Sequence, residues 1–400
     1  MERIVGTVVR GIRAPIIKKG DDMAGLVAGI IENFWKAENI EPVDRDILAV
    51  TESIVARAQG NYATIEHIAG DVYNKFKNSK FALIFPILSR NRFAVCLRGF
   101  ARGAGLGGKE ITLMLSYPAD EVGNHLVYME QLDSAGINPW TDVLDEPAFR
   151  NHFGFEKHTF TGMDYIKYYK DIIESEGVDC RVIFANHPET ILDYTKYIIN
   201  CDIHTRKRTK NILLNRGAKL VYSLDEILDK PVNDSGFNED YGLLGSNKAT
   251  EYTVKLFPRD SNKLVRDIQD RLKKISGKTI EVMIYGDGAF KDPVGKIWEL
   301  ADPVVSPGYT DGLEGTPNEV KIKYLADNNF AHLSGDELKN AISEHIRHKE
   351  DDLRGNMESQ GTTPRRLTDL IGSLCDLTSG SGDKGTPIVY IQGYFDNYIK

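Results

Sequence analysis

The 400-residue sequence predicts a mixed fold, α+β or α/β with mixed sheets, and three observations carry that expectation. Unbroken apolar runs of strand length, such as Ile47–Val50 and Phe81–Phe85, lie between turn-forming residues. Longer segments, such as Met23–Trp35 and Leu264–Ile275, carry apolar residues at helical spacing. Between residues 164 and 223 the two patterns alternate at the spacing of a small parallel α/β unit.

Residues 1 to about 70 read as a strand, a turn carrying Pro15, a helix from Asp21, a strand at Ile47 and a second helix. Pro15 fixes its own φ and biases Ala14 toward extended backbone, so this turn offers backbone groups beside the strand end at Ile47–Val50. Asp21 and Asp22 read as a helix cap in preference to metal ligands. Thr51, Glu52 and Ser53 follow the strand at once, with side chains suited to capping a helix or holding a ligand.

From Lys80 the pattern predicts strands at Phe81–Pro86, Phe93–Leu97 and Ile111–Tyr117. The segment Arg98–Glu110 between the last two contains Gly103-x4-Gly108-Lys109. A phosphate-binding loop needs Ser or Thr next and then a helix, whereas Glu110 and a strand follow, so that reading fails. Two readings remain: a glycine-rich hairpin connection, or a flexible cationic loop fed by Arg90, Arg92, Arg98, Arg102 and Lys109.

Next come a helix at Asp164–Glu174, a strand at Arg181–Ala185, a helix at Glu189–Ile199, the basic run Arg206–Lys210 within a helix, and a strand at Lys219–Ser223. The basic run has no interleaved aromatics and reads as a solvated helix face. The stripe Leu264–Ile275 ends at Gly277, and the strand Ile280–Tyr285 leads to Gly286-Asp287-Gly288. A carboxylate placed there serves a metal or phosphate, or forms an Asp-Gly turn. Asp302, Asp311, Glu314 and Glu319 read as a solvated loop, and Glu344-His345-x-x-His348 as an exposed charged helix. A helix at Leu367–Leu377, a polar loop at Thr378–Thr386 and a strand at Pro387–Gly393 close the chain.

Hydrophobic content of 41% and charged content of 27% provide for a sizeable core. A net charge of −8 opposes general nucleic-acid binding yet leaves room for a local basic pocket that takes a phosphorylated ligand. Cys96, Cys180, Cys201 and Cys375 are scattered and read as reduced thiols. With no apolar window approaching the roughly eighteen residues of a membrane span, and no signal-like N-terminus, the expectation is a soluble cytoplasmic protein.

The pattern Gly11-Ile-Arg-x-Pro-x-Ile-Lys-x-Gly-Asp-Asp22, an amphipathic helix, Asp46-Ile-Leu-x-Val50, then Ser53-Ile-Val-x-Arg57-Ala-x-Gly60 resembles the start of the coenzyme F(420)-0:L-glutamate ligase family of gamma-glutamyl ligases. The resemblance is close over about seventy residues and returns more weakly after Arg259. It implies a mixed-sheet, gamma-glutamyl-ligase-like core formed by residues 1–149 and 236–400, with 150–235 as an inserted small α/β subdomain, and a homodimer. The implied activity is a nucleotide- and metal-dependent amide ligase. GTP (or ATP) with Mg or Mn would convert a small anionic carboxylate acceptor to an acyl phosphate, which L-glutamate or a similar amino acid attacks.

Carried over by position, the resemblance implies nucleotide contacts at Ala14, Pro15, Ile16, Ile17, Ser53, Arg57, Thr141, Ser379, Gly380, Ser381, Gly382 and Thr386. It implies metal positions at Asn138 and Asp287, with Arg57 and Asp287 as the catalytic pair. Asn138 ends an Ala-Gly-Ile-Asn stretch where the family has Ala-Gly-Ile-Asp, and Gly288 stands where the family has a hydroxyl residue. Neither nucleic acid nor a membrane is an expected partner. The alternatives are a non-catalytic nucleotide- or phosphate-binding protein that keeps the fold, and a structural dimer with an empty pocket.

Overall fold

The structure is a computed structural model, which describes residues 4–159, 161–286, 289–291, 298–300, 306–353, 355–359, 366–379, 383–397 and 399. Strand β1 (Val8–Ile12) leads through the Pro15 turn into helix α1 (Met23–Ala37). Asp22 caps that helix by accepting from the Gly25 amide at 3.1 Å, and Asp21 closes the turn by accepting from the Lys18 amide at 2.7 Å, as expected of capping residues. Strand β2 (Ile47–Thr51) runs directly into α2 (Glu52–Gln59), which Gly60 ends in the left-handed region at φ 61°. Strand β3 (Tyr62–Thr64) and helix α3 (Ile65–Phe76) follow.

The middle of the chain runs β4 (Phe81–Ile84), α4 (Phe93–Gly105), β5 (Glu110–Leu115), α5 (Met129–Ala135), β6 (Leu144–Asp145), α6 (Glu146–Phe153), α7 (Tyr165–Glu174), β7 (Asp179–Phe184), β8 (Tyr197–Asn200), α8 (Arg206–Asn215) and β9 (Leu220–Ser223). These strands form a six-stranded sheet in the order β6-β7-β5-β4-β8-β9, parallel apart from β6. Taken in chain order, its parallel strands lie third, second, first, fourth, fifth across the sheet, which is the order of a doubly wound fold. Phe81 and Leu83 enter one core with α3, α4 and α7, while Ala82 and Ile84 enter another with Ile191, Leu213 and Val221. Burial on both faces is why these strands read as continuous apolar runs.

The rest runs β10 (Asn247–Lys248), β11 (Thr253–Lys255), α9 (Ser261–Ser276), β12 (Glu281–Tyr285), the hairpin β13 (Ala289–Lys291) and β14 (Trp298–Leu300), β15 (Gly308–Tyr309), α10 (Ile322–Tyr324), α11 (Gly335–His348), α12 (Leu367–Ser379) and β16 (Ile388–Gln392). A second sheet takes the order β1-β16-β2-β12-β15, with β2 and β12 parallel. Leu48, Val50 and Val282 pack under α1 and α9, and Ile47, Ala49 and Met283 pack over Ile371 and Cys375 of α12. A short third sheet takes the order β10-β11-β3. Among the described residues no helix is long and apolar enough to cross a membrane.

The structure differs from the sequence reading in four places. Phe93–Leu97 is not a strand but the first part of α4, whose Phe93, Leu97, Phe100, Ala101 and Ala104 make a helical stripe too long for a five-residue window to reveal. Arg98–Glu110 is accordingly neither a hairpin connection nor a flexible loop. Its glycines serve packing: a Cβ on Gly99 would lie 2.6 Å from Ile68 Cβ, and one on Gly103 2.9 Å from the Ala69 carbonyl, so α3 and α4 approach closely only because both are glycine. Arg102 is held by Glu176 at 2.9 Å and by Glu66. Glu189–Ile199 is a 3₁₀ turn, Pro188–Asp193, followed by β8, where the run Tyr197–Asn200 prefers a buried parallel strand. The α/β pattern read in residues 150–235 is present, but the sheet also takes β4, β5 and β6 from before residue 150, so the unit runs from Phe81 to Ser223.

Overpacking at the α3–α4 contact should be costly. Gly99→Ala and Gly103→Ala are each expected to lower stability by about 1–3 kcal/mol, read as a lower urea midpoint at unchanged m-value.

Candidate functional site

Parallel pairing of β2 with β12, in the register Glu281↔Ile47 to Tyr285↔Thr51, sets both C-terminal ends at one edge of the five-stranded sheet. Antiparallel β16 pairs Ile388 with Val50, and β1 pairs Ile12 with Ile388, so the chain around Pro387 and beyond Ile12 arrives at the same edge. Backbone bonds hold these approaches together: the Ala14 amide donates to the Gly385 carbonyl at 3.2 Å, the Thr51 amide to the Pro387 carbonyl at 3.0 Å, and the Gly20 amide to the Ala58 carbonyl at 2.8 Å. Arg57 Nε donates to the Ile17 carbonyl at 2.6 Å, which fixes the guanidinium against the Pro15 turn. Thr386 Oγ1 donates to the Ser379 carbonyl at 2.8 Å and packs beneath Gly11.

The site is cationic. Arg13, Lys18, Lys19, Arg57 and Lys384 lie on the segments that meet here, with Arg57 in the last turn of α2 and the Lys19 stem over Gly60 at that end of the helix, and among the described residues none of them forms an ion pair with a carboxylate. Ser53 and Arg57 are exposed one turn apart on α2. In a chain of net charge −8, unpaired cations on the Pro15 turn, the last turn of α2 and the chain before Pro387 give these segments a local positive potential.

Behind this surface lies a pair that sequence reasoning missed. Glu52, the first residue of α2, is buried and ion-paired with Lys255 of β11, also buried. The signal was available: Lys255 is the one charge between Val254 and Leu256 in an apolar strand. Gln59 and Arg259 exchange bonds of 2.7 and 2.8 Å, and fully buried Asn61 donates to the Phe237 and Phe257 carbonyls at 2.9 and 2.6 Å, tying α2 to the chain entering α9.

Of the positions implied by resemblance, Ala14, Pro15, Ile16, Ile17, Ser53, Arg57, Ser379 and Thr386 thus gather at one strand edge. Asp287, Gly380, Ser381 and Gly382 lie outside the described residues. Asn138 and Thr141 do not join the cluster: they follow α5 beside the six-stranded sheet, where Asn186 Nδ2 donates to the Pro139 carbonyl at 2.9 Å and Tyr117 donates to the Asp142 carbonyl at 2.7 Å. Asn138 Oδ1 is engaged by the Trp140 amide at 2.9 Å. The Ala-Gly-Ile stretch has a local cause, because Gly136 at φ 68° caps α5 and Ile137 returns its amide to Leu132. Half-buried His345 faces Glu358 at 2.6 Å and exposed His348 faces Glu344 at 2.8 Å, so α11 is charged on its outer face but buries Ile342 and Ile346 rather than being exposed throughout. Among the described residues no group of three or more His, Cys, Asp or Glu is placed to hold a metal ion.

The doubly wound sheet has its own strand-end chemistry. At the switch between β4 and β8, Glu121 accepts from the amides of Ile203 and His204, and buried Asp202 accepts from the Thr205 amide at 2.9 Å and from Thr209 at 2.6 Å. Glu121 is exposed as a residue, but its carboxylate is enclosed. Burial first, and the neighbouring Asp202 charge after it, push it up to about 7. A carboxyl whose folded value lies above its unfolded one favours the folded state while protonated, and that benefit is lost as pH rises from about 4.5 through about 7.

Two outcomes follow. Glu121→Gln is expected to flatten the fall in melting temperature between pH 5 and pH 7.5, seen by scanning calorimetry. Lys255→Met, which takes the ammonium from a buried carboxylate, is expected to cost about 3–5 kcal/mol in chemical unfolding, and adding Glu52→Gln should recover part of it.

A family model described as F420-0:Gamma-glutamyl ligase matches residues 11–393. No curated protein matches the chain.

Proposed function

The chain belongs to the F420-0:gamma-glutamyl ligase family, a ligase family, and on that premise we propose that it is a nucleotide-dependent amide ligase whose nucleotide site is the cationic edge of the five-stranded sheet. The observation that carries this reading is the meeting of the Pro15 turn, α2 and the chain before Pro387 beside the joined C-terminal ends of β2 and β12, with Arg57 fixed against Ile17 and with Arg13, Lys18, Lys19 and Lys384 unpaired on those segments. Ligands of open sheets with parallel strands favour that edge. Five cations suit the charge of GTP, or of ATP, and small residues from Ser379 onward let backbone amides approach phosphates.

In this reading a carboxylate oxygen of a small anionic acceptor attacks the terminal phosphorus, and the nucleoside diphosphate leaves. The amine of L-glutamate or a similar amino acid then attacks the acyl carbon, phosphate departs with the bonding pair, and the nitrogen loses a proton to give the amide. Arg57, held by Ile17, presents a fork to the phosphate oxygens, while Lys18 and Lys19 balance the charge that builds as the phosphoryl group transfers. Asp287, the metal position that the resemblance implies, would hold Mg or Mn, which would offset the charge of the phosphates, and we assign no step to the metal. A cytoplasmic homodimer belongs to the same proposal.

Thermal unfolding with GTP or ATP, each with Mg or Mn, tests the site, since a ligand that binds only the folded state raises the melting temperature. We expect a shift that Arg57→Ala reduces, with about tenfold weaker nucleotide binding for the loss of a charge-assisted fork. Phosphate release that depends on L-glutamate, in a screen of small carboxylates, would establish turnover. A shift without release across that screen would favour the non-catalytic nucleotide-binding protein, and no shift with either nucleotide would remove the site.

A further inference from the structure

Doubly wound sheets take ligands in the crevice beyond the strand ends where the order turns, here between β4 and β8. That crevice is shut. Ile87, Phe93, Cys96, Cys201, Ile203 and Leu243 line a cavity of about 30 Å³ beneath the connections that follow β4 and β8, room for one or two waters and no more.

The connection that carries Ile203 is held in place by a turn belonging to neither strand. The chain leaving β5 folds tightly over residues 118–127: the Leu126 and Val127 amides donate to the Pro118 carbonyl at 2.8 and 3.2 Å, and the Asp120 amide to the Asn124 carbonyl at 3.0 Å. Strand β4 lies between β5 and β8, so this turn must cross the end of β4 to reach the chain after β8. Its bonds trace that crossing. Buried Asp120 accepts from the Leu88 amide, after β4, at 2.8 Å, and from the Val122 and Asn124 amides at 3.1 and 2.8 Å. One residue on, Glu121 takes the Ile203 and His204 amides, after β8, on its two carboxyl oxygens at 2.5 and 3.0 Å. Asp120 is the anchor of the turn and Glu121 its catch.

The catch faces a second carboxyl. Asp202 is buried, accepts from the Thr205 amide and from Thr209, and its carboxyl is hydrogen-bonded to that of Glu121, which requires a proton between the two. Other charges nearby do not neutralise the pair. Arg206 of α8 is engaged by Asp225 at 3.0 Å and by the Ile203 carbonyl at 2.5 Å, and Arg92 lines the cavity at the start of α4. Burial holds the His204 ring below the usual imidazole range and pushes the Asp120 carboxyl and the Tyr241 hydroxyl up. Among the described residues no cation pairs with Glu121.

We propose that Glu121 and Asp202 form a proton-operated latch: with the shared proton in place the 118–127 turn is fastened across the crevice between β4 and β8, and its loss releases the turn from residues 201–205 and opens the crevice. Two adjoining carboxylates repel, and burial opposes the second charge. The Glu121 carboxyl titrates at about 7 when latched, against 4.5 when free, so opening grows as pH rises through that range and levels off above it. By this linkage the open fraction rises about twentyfold from pH 5.5 to pH 7.5. The latch belongs to the doubly wound unit and does not rest on the ligase reading.

Hydrogen exchange followed by mass spectrometry on the full chain, at pH 5.5 and 7.5 and corrected for the intrinsic effect of pH, tests the latch. Protection of peptides covering 118–127 and 201–206 is expected to fall about twentyfold, while that of Ile47–Thr51 and Glu281–Tyr285 stays constant. Glu121→Gln keeps an acceptor for an amide and a donor for Asp202 but cannot ionise, so it should remove the pH difference. Glu121→Ala, which has no catch, should leave both peptides open at either pH. Access gives a second reading: at pH 7.5, Cys201 of the wild type should react with N-ethylmaleimide about tenfold faster than Cys201 of Glu121→Gln, a comparison in which thiol ionisation cancels. Protection that is constant with pH, that changes equally in Glu121→Gln, or that falls across the whole chain overturns the proposal, as does equal alkylation of Cys201 in the two proteins.

Discussion

The in-register parallel pairing of β2 with β12, in a sheet buried on both faces, is the constraint on which the rest of the site depends. Parallel neighbours need crossovers, and antiparallel β16 and β1 can join only with their turns at the same edge. Segments remote in sequence, around Ala14, Ser53 and Thr386, are therefore delivered to one place. The core fixes the register strongly, because a slip by one residue would turn Leu48 and Val50 from the α1 side to the α12 side.

Charge is distributed in keeping with that geometry. The chain is acidic as a whole, but unpaired cations lie on the segments that meet beside β2 and β12, while the equivalent edge of the doubly wound sheet is occupied by Glu121 and Asp202 bound to its own backbone amides. The first edge is prepared for an anion from outside and the second is satisfied internally. Buried Glu52 and Lys255 sit directly behind the first edge, where an ion pair adds little net stability but holds the start of α2 in one position.

Much of this was legible in the sequence. The apolar run Ile47–Val50, the capping Asp22, the stripe ending at Gly277 and the strand after Pro387 each carry a local signal strong enough to survive folding. The convergence of Ala14, Arg57 and Thr386 was legible through resemblance, and no single segment specifies it. What misled was local ambiguity. Phe93–Leu97 is apolar without a break and shows its helical period only over thirteen residues. The glycines of α4 resemble loop residues because their role is fulfilled by α3, elsewhere in the chain. The Ala-Gly-Ile-Asn138 stretch has a local structure that its letters do not show: Gly136 caps α5 and Asn138 Oδ1 accepts from the Trp140 amide. The Lys255–Glu52 contact spans too much sequence for any window to detect.

Photocrosslinking with 8-azido-GTP, followed by peptide mapping, most directly tests the placement of the nucleotide at the five-stranded edge. Label on residues 11–20, 51–60 or 383–387, protected by excess unlabelled GTP, is the predicted result. Protectable label confined to the strand ends of the six-stranded sheet, at 85–92, 116–125 or 201–206, would contradict it and move the site to the doubly wound unit.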